Sequence, residues 1–267
     1  MLSKNLIRKL TLTTALLLSA VLFGAPSIIA DTQAAPDEAA RADTHTVLIT
    51  GANRGIGLEL ARQFAADQWR VIGTARKPDE ADELRAAGAR VVQLDVTSAT
   101  SVGNMARELA DTPIDLLINN AGIQPLMWTL EEVDFDDFER ALAVNTTGPV
   151  RVTRALLPNL RSGKLRRIVN ITTNLSSIAG NTDGGFYGYR ESKAALNMFT
   201  KSLAMDLGPE GFVCIALHPG WVRTDMGGPQ APLQVEESAR GMIAVIDRLT
   251  PGDNGAFLTY SGERMAW

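Results

Sequence analysis

The chain has 267 residues, 45% of them hydrophobic, and a formal net charge of −4, which gives enough apolar side chain for one sizeable core at a length α/β folds commonly use as a single domain. The acidic balance leaves no sequence-wide basic field to hold a phosphate backbone, so nucleic acid is excluded and a small molecule is the expected partner. One cysteine, Cys214, and two distant histidines, His45 and His218, give neither an internal disulfide nor a metal cluster.

The chain opens on Lys4, Arg8 and Lys9, followed by the apolar run "LTLTTALLLSAVLFGAPSIIA" and the small-residue tract "DTQAAPDEAARAD". This is the pattern of an export signal over residues 1–30, cleaved after Ala30, with a flexible leader over 31–43. Left uncleaved, residues 10–30 are long enough to span a bilayer as a tether, with the basic flank on the cytoplasmic side. The expected location is therefore exported (periplasmic or secreted) or membrane-tethered, with the folded domain over 44–267.

From Thr44 onward, short Val/Ile/Leu-rich runs alternate with amphipathic stretches. The runs are "TVLIT", "RVIGTA", "RVVQLDV", "IDLLINNAG", "RRIVNIT", "FVCIALHPG" and, weakly, "GAFLTY". Helical patterns cover Ile56 to Ala66, Ser98 to Ala110, Phe135 to Leu160 and Ser192 to Leu207. Strands apolar on both faces, alternating with helices, predict a doubly wound parallel sheet of about seven strands with helices on both sides. In such sheets ligands bind beyond the carboxyl ends of the strands.

At the first strand end, "TVLITGANRGIGLELA" places Gly51, Gly55 and Gly57 between a strand and a helix. Glycines let the backbone turn tightly and approach a pyrophosphate, and the helix N-terminus offers unpaired N–H groups. Asn53, Arg54 and Ile56 belong to the same candidate nucleotide loop. At the second strand end, Arg76 and Lys77 stand where an NAD site usually carries an acid, with Arg54 near by. A guanidinium suits the extra phosphate of NADP, so NADP(H) is favoured over NAD(H). Asp95 and Val96, after the third strand, are expected at the adenine edge.

Taken in order, "TGANRGIG" at Thr50 to Gly57, Asp95, "NNAG" at Asn119 to Gly122, Asn145 in "AVNTTGP", Tyr189 with Lys193, and "HPGWVRTDM" at His218 to Met226 resemble the short-chain dehydrogenases/reductases. The match runs from His45 to Trp267 and is most like the carbonyl-reductase branch that includes sniffer and C-factor. The resemblance implies a Rossmann-type fold, hydride exchange between NADP(H) and a carbonyl or alcohol substrate, and assembly into homodimers or homotetramers through the helices at Phe135 to Leu160 and Tyr189 to Leu207. It also implies that Tyr189 is the general acid/base, with Lys193 one helical turn away lowering its pKa and holding the nicotinamide ribose, and that Asn145 interrupts its helix and supports a proton relay. A kink of purely structural origin is the alternative at Asn145.

The family's usual serine after the fifth strand is absent in "VNITTNLSSIAG": an ungapped reading puts Thr173 there, with Ser176 and Ser177 close behind as alternatives. A threonine supplies the same hydroxyl with one more methyl. Asn119, Ala121 and Gly122 are expected along the cofactor groove, and Pro219, Gly220, Val222 and Thr224 beside the nicotinamide. The segment "DMGGPQAPLQVEESARGM" is expected as a substrate lid, with Trp221, Met226, Met127 and Trp128 as an apolar wall. A low-turnover nucleotide-binding sensor on the same fold is the competing expectation.

Overall fold

The computed structural model describes residues 44–267; the expected signal, leader and tether lie outside the described residues. Seven strands form one parallel sheet in the order β3-β2-β1-β4-β5-β6-β7. They are β1 (Thr46–Ile49), β2 (Arg70–Ala75), β3 (Arg90–Gln93), β4 (Leu116–Asn119), β5 (Arg167–Ile171), β6 (Val213–His218) and β7 (Phe257–Thr259). The helices are α1 (Gly55–Ala66), α2 (Asp82–Ala86), α3 (Ala99–Glu108), α4 (Phe135–Leu142), α5 (Gly148–Ser162), α6 (Tyr189–Leu207) and α7 (Val235–Asp247).

The two-sided apolar runs have the predicted consequence. Alternate side chains of one strand enter different cores, since successive residues of a strand face opposite ways. Val47 and Ile49 join Leu60, Phe64, Met242 and Ile246 on the side of α1 and α7, whereas Leu48 joins Met105, Val152, Leu156 and Leu207 on the side of α3, α5 and α6. The strand order reverses between β1 and β4, and a crevice opens beyond their carboxyl ends.

Two predicted elements differ. The pattern over Phe135 to Leu160 is not one α-helix: α4 gives way to a π-helical turn, Ala143–Thr147, before α5 begins. The fully buried Asn145 lies inside that turn. The expected lid is shorter than its sequence suggested, because α7 starts at Val235 and buries Ala239 and Met242 in the core. Among the described residues no helix is long and apolar enough to cross a membrane.

Candidate active site

The loop after β1 is built by contacts that leave no room for side chains. Gly51 takes φ +63, and a Cβ there would stand 2.9 Å from the Ala121 Cα. A Cβ on Gly57 would stand 2.5 Å from Asn120 Nδ2 and 2.6 Å from the Gly51 carbonyl. Thr50 Oγ1 accepts the backbone N–H groups of Asn120 and Ala121, both at 3.0 Å, clamping the ends of β1 and β4 together. The first turn of α1 carries no acidic side chain, so its positive end opens on the crevice unopposed, the setting in which a phosphate binds.

The crevice is a cavity of about 870 Å³. From the glycine loop it is lined by Gly51, Asn53, Arg54, Gly55, Ile56 and Gly57, and from β2 and β3 by Arg76, Asp95 and Val96. Ala121 and Gly122 after β4, Tyr189 and Lys193 on α6, and Pro219 and Thr224 after β6 complete the part of the wall expected from sequence.

Asn119, Gly220 and Val222 are not in that wall. Asn119 is 2% exposed and donates to Asn170 Oδ1 at 2.8 Å and Thr153 Oγ1 at 3.2 Å, joining β4 to β5 and α5. Its neighbour Asn120, one residue further along and so on the other side of the chain, lines the cavity and donates to the Thr50 carbonyl at 2.9 Å. That alternation is the signal by which Asn120 could have been chosen. Gly220 packs against Leu233 and Tyr260, and Val222 is buried and bridged to Leu233. Both hold the base of the loop after β6 whose outer part reaches the cavity.

The chain reaches Tyr189 through a run of left-handed backbone at Gly184, Gly185, Phe186 and Gly188. Glu191 Oε2 then accepts the Gly188 N–H at 2.6 Å and starts α6. The start fixes which tyrosine faces the crevice: Tyr189 does, while Tyr187 lines a separate hollow with Arg190. The Thr173 side chain lies near enough to the Tyr189 phenol to influence its pKa; its hydroxyl donates to Asn174 Oδ1 and accepts the Leu175 N–H, both at 3.2 Å. Burial raises the Tyr189 pKa to about 12, against the opposing effect of Thr173. The expected lowering by Lys193 does not appear: burial also lowers the ammonium, to about 8, and Lys193 Nζ donates to the Ile171 carbonyl at 2.8 Å.

Ser176 is turned away from the phenol into a buried cluster with Thr172 and Asn197, and Ser177 Oγ accepts the Gly180 N–H at 3.0 Å. Of the three candidate hydroxyls, Thr173 is therefore the one at Tyr189, although it stands behind the cavity surface. Asn145 is also behind the wall. Its amide exchanges two hydrogen bonds with the Ile123 backbone, at 2.9 and 2.8 Å, and donates to Ser192 Oγ at 3.0 Å. Gly122 lies where a Cβ would meet Asn145 Oδ1 at 3.2 Å and Lys193 Nζ at 3.5 Å, so three elements converge there.

The basic side chains are unevenly engaged. Arg54 pairs with Asp225 at 2.7 Å across the mouth, and Lys77 pairs with Glu80 at 2.8 Å. Arg76 makes no ion pair among the described residues. Asp95 accepts both the Thr97 hydroxyl, at 2.6 Å, and its N–H, at 2.9 Å. Those bonds, with a smaller contribution from Arg76, lower its carboxyl below the usual range. Asp225 is 171 residues from Arg54, a pairing visible only in space. Of the expected apolar wall, Met226 lines the cavity, Trp221 and Trp128 are exposed and outside its lining, and Met127 is packing, 4% exposed.

The model of the short chain dehydrogenase family matches residues 45–233; the chain belongs to that family and is a dehydrogenase/reductase. It is 52% identical over 162 residues to the C-signal of Myxococcus xanthus, covering 61% of this chain and 98% of that one. It is 37% identical to 1-hydroxy-2-glutathionyl-2-methyl-3-butene dehydrogenase of Rhodococcus sp. (strain AD45), covering 83% and 99%. Among solved structures it is similar to the carbonyl reductase Sniffer of D. melanogaster, with TM-score 0.79, 36% identity and coverage of 84% and 100%. It is also similar to the NADPH-bound carbonyl reductase from chicken fatty liver, with TM-score 0.77, 35% identity and coverage of 84% and 99%.

Proposed function

We propose that the protein is an NADP(H)-dependent carbonyl reductase in which Tyr189 exchanges a proton with the substrate oxygen. The observation that carries this reading is one continuous cavity joining a glycine-lined helix N-terminus to a buried Tyr189 with Lys193 one turn along α6. The fit to a dinucleotide rests on the crowding at Gly51 and Gly57, where the backbone occupies the space a side chain would need. Bound NADPH supplies the hydride and, once oxidised, a positive ring.

The chain's own residues do the rest. Tyr189, held neutral by burial, donates its proton to the carbonyl oxygen, and the Thr173 hydroxyl, on turning from Asn174 Oδ1, donates to the phenol oxygen as charge develops there. Lys193, charged below about pH 8, stabilises that phenolate and holds the ribose. Asn145 fixes Ile123 and the adjoining Gly122 edge. Arg76, which makes no ion pair among the described residues and lies close enough to Asp95 to lower its carboxyl, receives the extra phosphate, and Asp95 and Val96 border the adenine. Two similar structures are described as NADPH-bound, which supports this nucleotide. Pairing of subunits through α4, α5 and α6 belongs to the same proposal, supported by the exposed Phe135, Met198 and Met205. Export of the chain through residues 1–30 is proposed as well, and N-terminal sequencing of the native protein distinguishes a cleaved from a tethered form.

The test is NADPH oxidation with a panel of aldehydes, ketones and quinones, 4-nitrobenzaldehyde among them, by wild type and Tyr189→Phe. We expect turnover by wild type and a loss of about 10²–10⁴ in the variant; equal rates would end the assignment. A second reading, a signalling protein of low turnover, draws on the similarity to C-signal. It predicts tight NADPH binding with no carbonyl reduced by either form.

A further inference from the structure

Beyond Tyr189 and Lys193, the same face of α6 carries a third buried polar residue one turn further on, Asn197, 4% exposed. The reaction described above leaves it without a role. Its Nδ2 donates to Ser176 Oγ at 2.8 Å and its Oδ1 accepts from Thr172 Oγ1 at 2.8 Å. Ser176 Oγ in turn donates to the backbone carbonyl of Thr173 at 2.5 Å.

Proton counting fixes the direction of this network. The oxygens of Thr172 and Ser176 also stand 3.1 Å apart, but a hydroxyl has one proton to give. With Thr172 committed to Asn197 and Ser176 to the Thr173 carbonyl, that contact carries no bond of its own. The chain therefore runs one way, from Thr172 through Asn197 and Ser176 to Thr173, and needs at Asn197 a group that accepts on one atom and donates on another.

We propose that Asn197 is a positioning residue: through Ser176 it fixes the backbone of Thr173 so that the Thr173 hydroxyl meets the Tyr189 phenol. This rests on the reading of Tyr189 as the proton carrier. Tyr189 and Asn197 are two turns apart on one helix, roughly 12 Å at 1.5 Å per residue. A single rigid body thus presents the phenol and also grips the segment that carries the partner hydroxyl. β5 ends at Ile171, so Thr173 lies past the ladder. A shift of its backbone re-aims the hydroxyl among its staggered positions.

The test is a double-mutant cycle between Asn197→Leu and Thr173→Val, followed by NADPH-dependent reduction of 4-nitrobenzaldehyde, with NADPH affinity read by fluorescence as the check on folding. Asn197→Leu should lower kcat about tenfold or more while NADPH affinity stays within about twofold, and adding it to Thr173→Val should lower kcat no further. The loss should fall on kcat in both single variants, with the alkaline limb near pH 8, which Lys193 sets, left in place. Should Asn197→Leu not fold, Ser176→Ala removes only the donor to the Thr173 carbonyl and should give the same loss and the same non-additivity. Effects that multiply in the double variant, or a loss confined to NADPH affinity, overturn the positioning role. Tyr189→Phe separates the two levels: full turnover there overturns the underlying reading, whereas an inactive Tyr189→Phe with independent Asn197 and Thr173 effects overturns only this inference.

Discussion

Burial acts on Tyr189 and Lys193 in opposite directions, raising the phenol to about 12 and lowering the ammonium to about 8. Both shifts disfavour the charged form, as desolvation must. Over the neutral range the phenol therefore keeps its proton and serves best as a donor, in the reductive direction. Of the two, Lys193 titrates nearer to neutrality and is charged below its pKa. Reductive kcat/KM should be level up to about pH 8 and fall about tenfold per unit above it, measured with saturating NADPH and a carbonyl substrate without ionisable groups. A profile flat to pH 10 would count against a catalytic ammonium. Arg76 gives a second test. Arg54 and Lys77 already face Asp225 and Glu80, so replacing Arg76 by glutamate should raise the KM for NADPH by about tenfold or more and leave that for NADH within a few-fold. Comparable changes for both nucleotides would place the extra phosphate elsewhere.

The element that matters most for the nucleotide is the turn from β1 into α1, and its tolerance is set by Gly57. A methyl there meets Asn120 Nδ2, which can swing, and the Gly51 carbonyl, which cannot move without opening the loop. Gly57→Ala should weaken NADPH binding by about tenfold or more while the rest of the sheet survives, since the clash is confined to the loop. Titration of NADPH fluorescence together with far-ultraviolet circular dichroism reads both halves of that statement. This turn was legible in the sequence because three glycines between a strand and a helix have few other uses. The strands were legible for a similar reason: Val47, Leu48 and Ile49 must all be buried, and only a sheet covered on both faces does that. The break at Ala143–Thr147 was not legible as a π turn. Asn145 marks the place, but five residues are too few for a change of period to appear against the amphipathic pattern of α4 and α5. The lid was read too long because "QVEESARGM" has polar positions enough to pass for a loop, while its apolar residues, Ala239 and Met242, reach the core only at helical spacing. Asn197 was passed over for a different reason: a polar residue at helical spacing acquires meaning only when β5 is laid against α6.

Across the whole molecule, the cavity and the sheet meet at His218, the last residue of β6, which pairs with Thr259 of β7 and precedes Pro219 in the cavity wall. Its Nδ1 is buried and has no hydrogen-bond partner among the described residues, and burial lowers its pKa from 6.5 to about 4. The sign of the stability effect follows. Between these two values the unfolded chain carries a proton on His218 and the folded chain does not, so folding is weakened as pH falls from about 6.5 towards 4, by about 1.4 kcal/mol per unit. Above pH 6.5 both states are neutral at this residue and the effect vanishes. Because β6 is an interior strand, held by β5 on one side and β7 on the other, charging His218 loosens the sheet beside the loop that carries Pro219 and Thr224. Loss of NADPH affinity should therefore accompany loss of stability over the same pH interval. His218→Gln keeps a polar side chain without the titration. It should flatten the pH dependence of the thermal midpoint between pH 6.5 and 4.5 relative to wild type, as measured by calorimetry, and leave the midpoint at pH 7.5 less affected. Equal slopes in the two proteins over that interval would rule out His218 as the source, because carboxylates such as Asp95 and Asp253 act at lower pH. Their lowered pKa values make their contribution fully present above the ordinary carboxylate range and lost only at lower pH, so a slope confined to pH below about 4 would identify them.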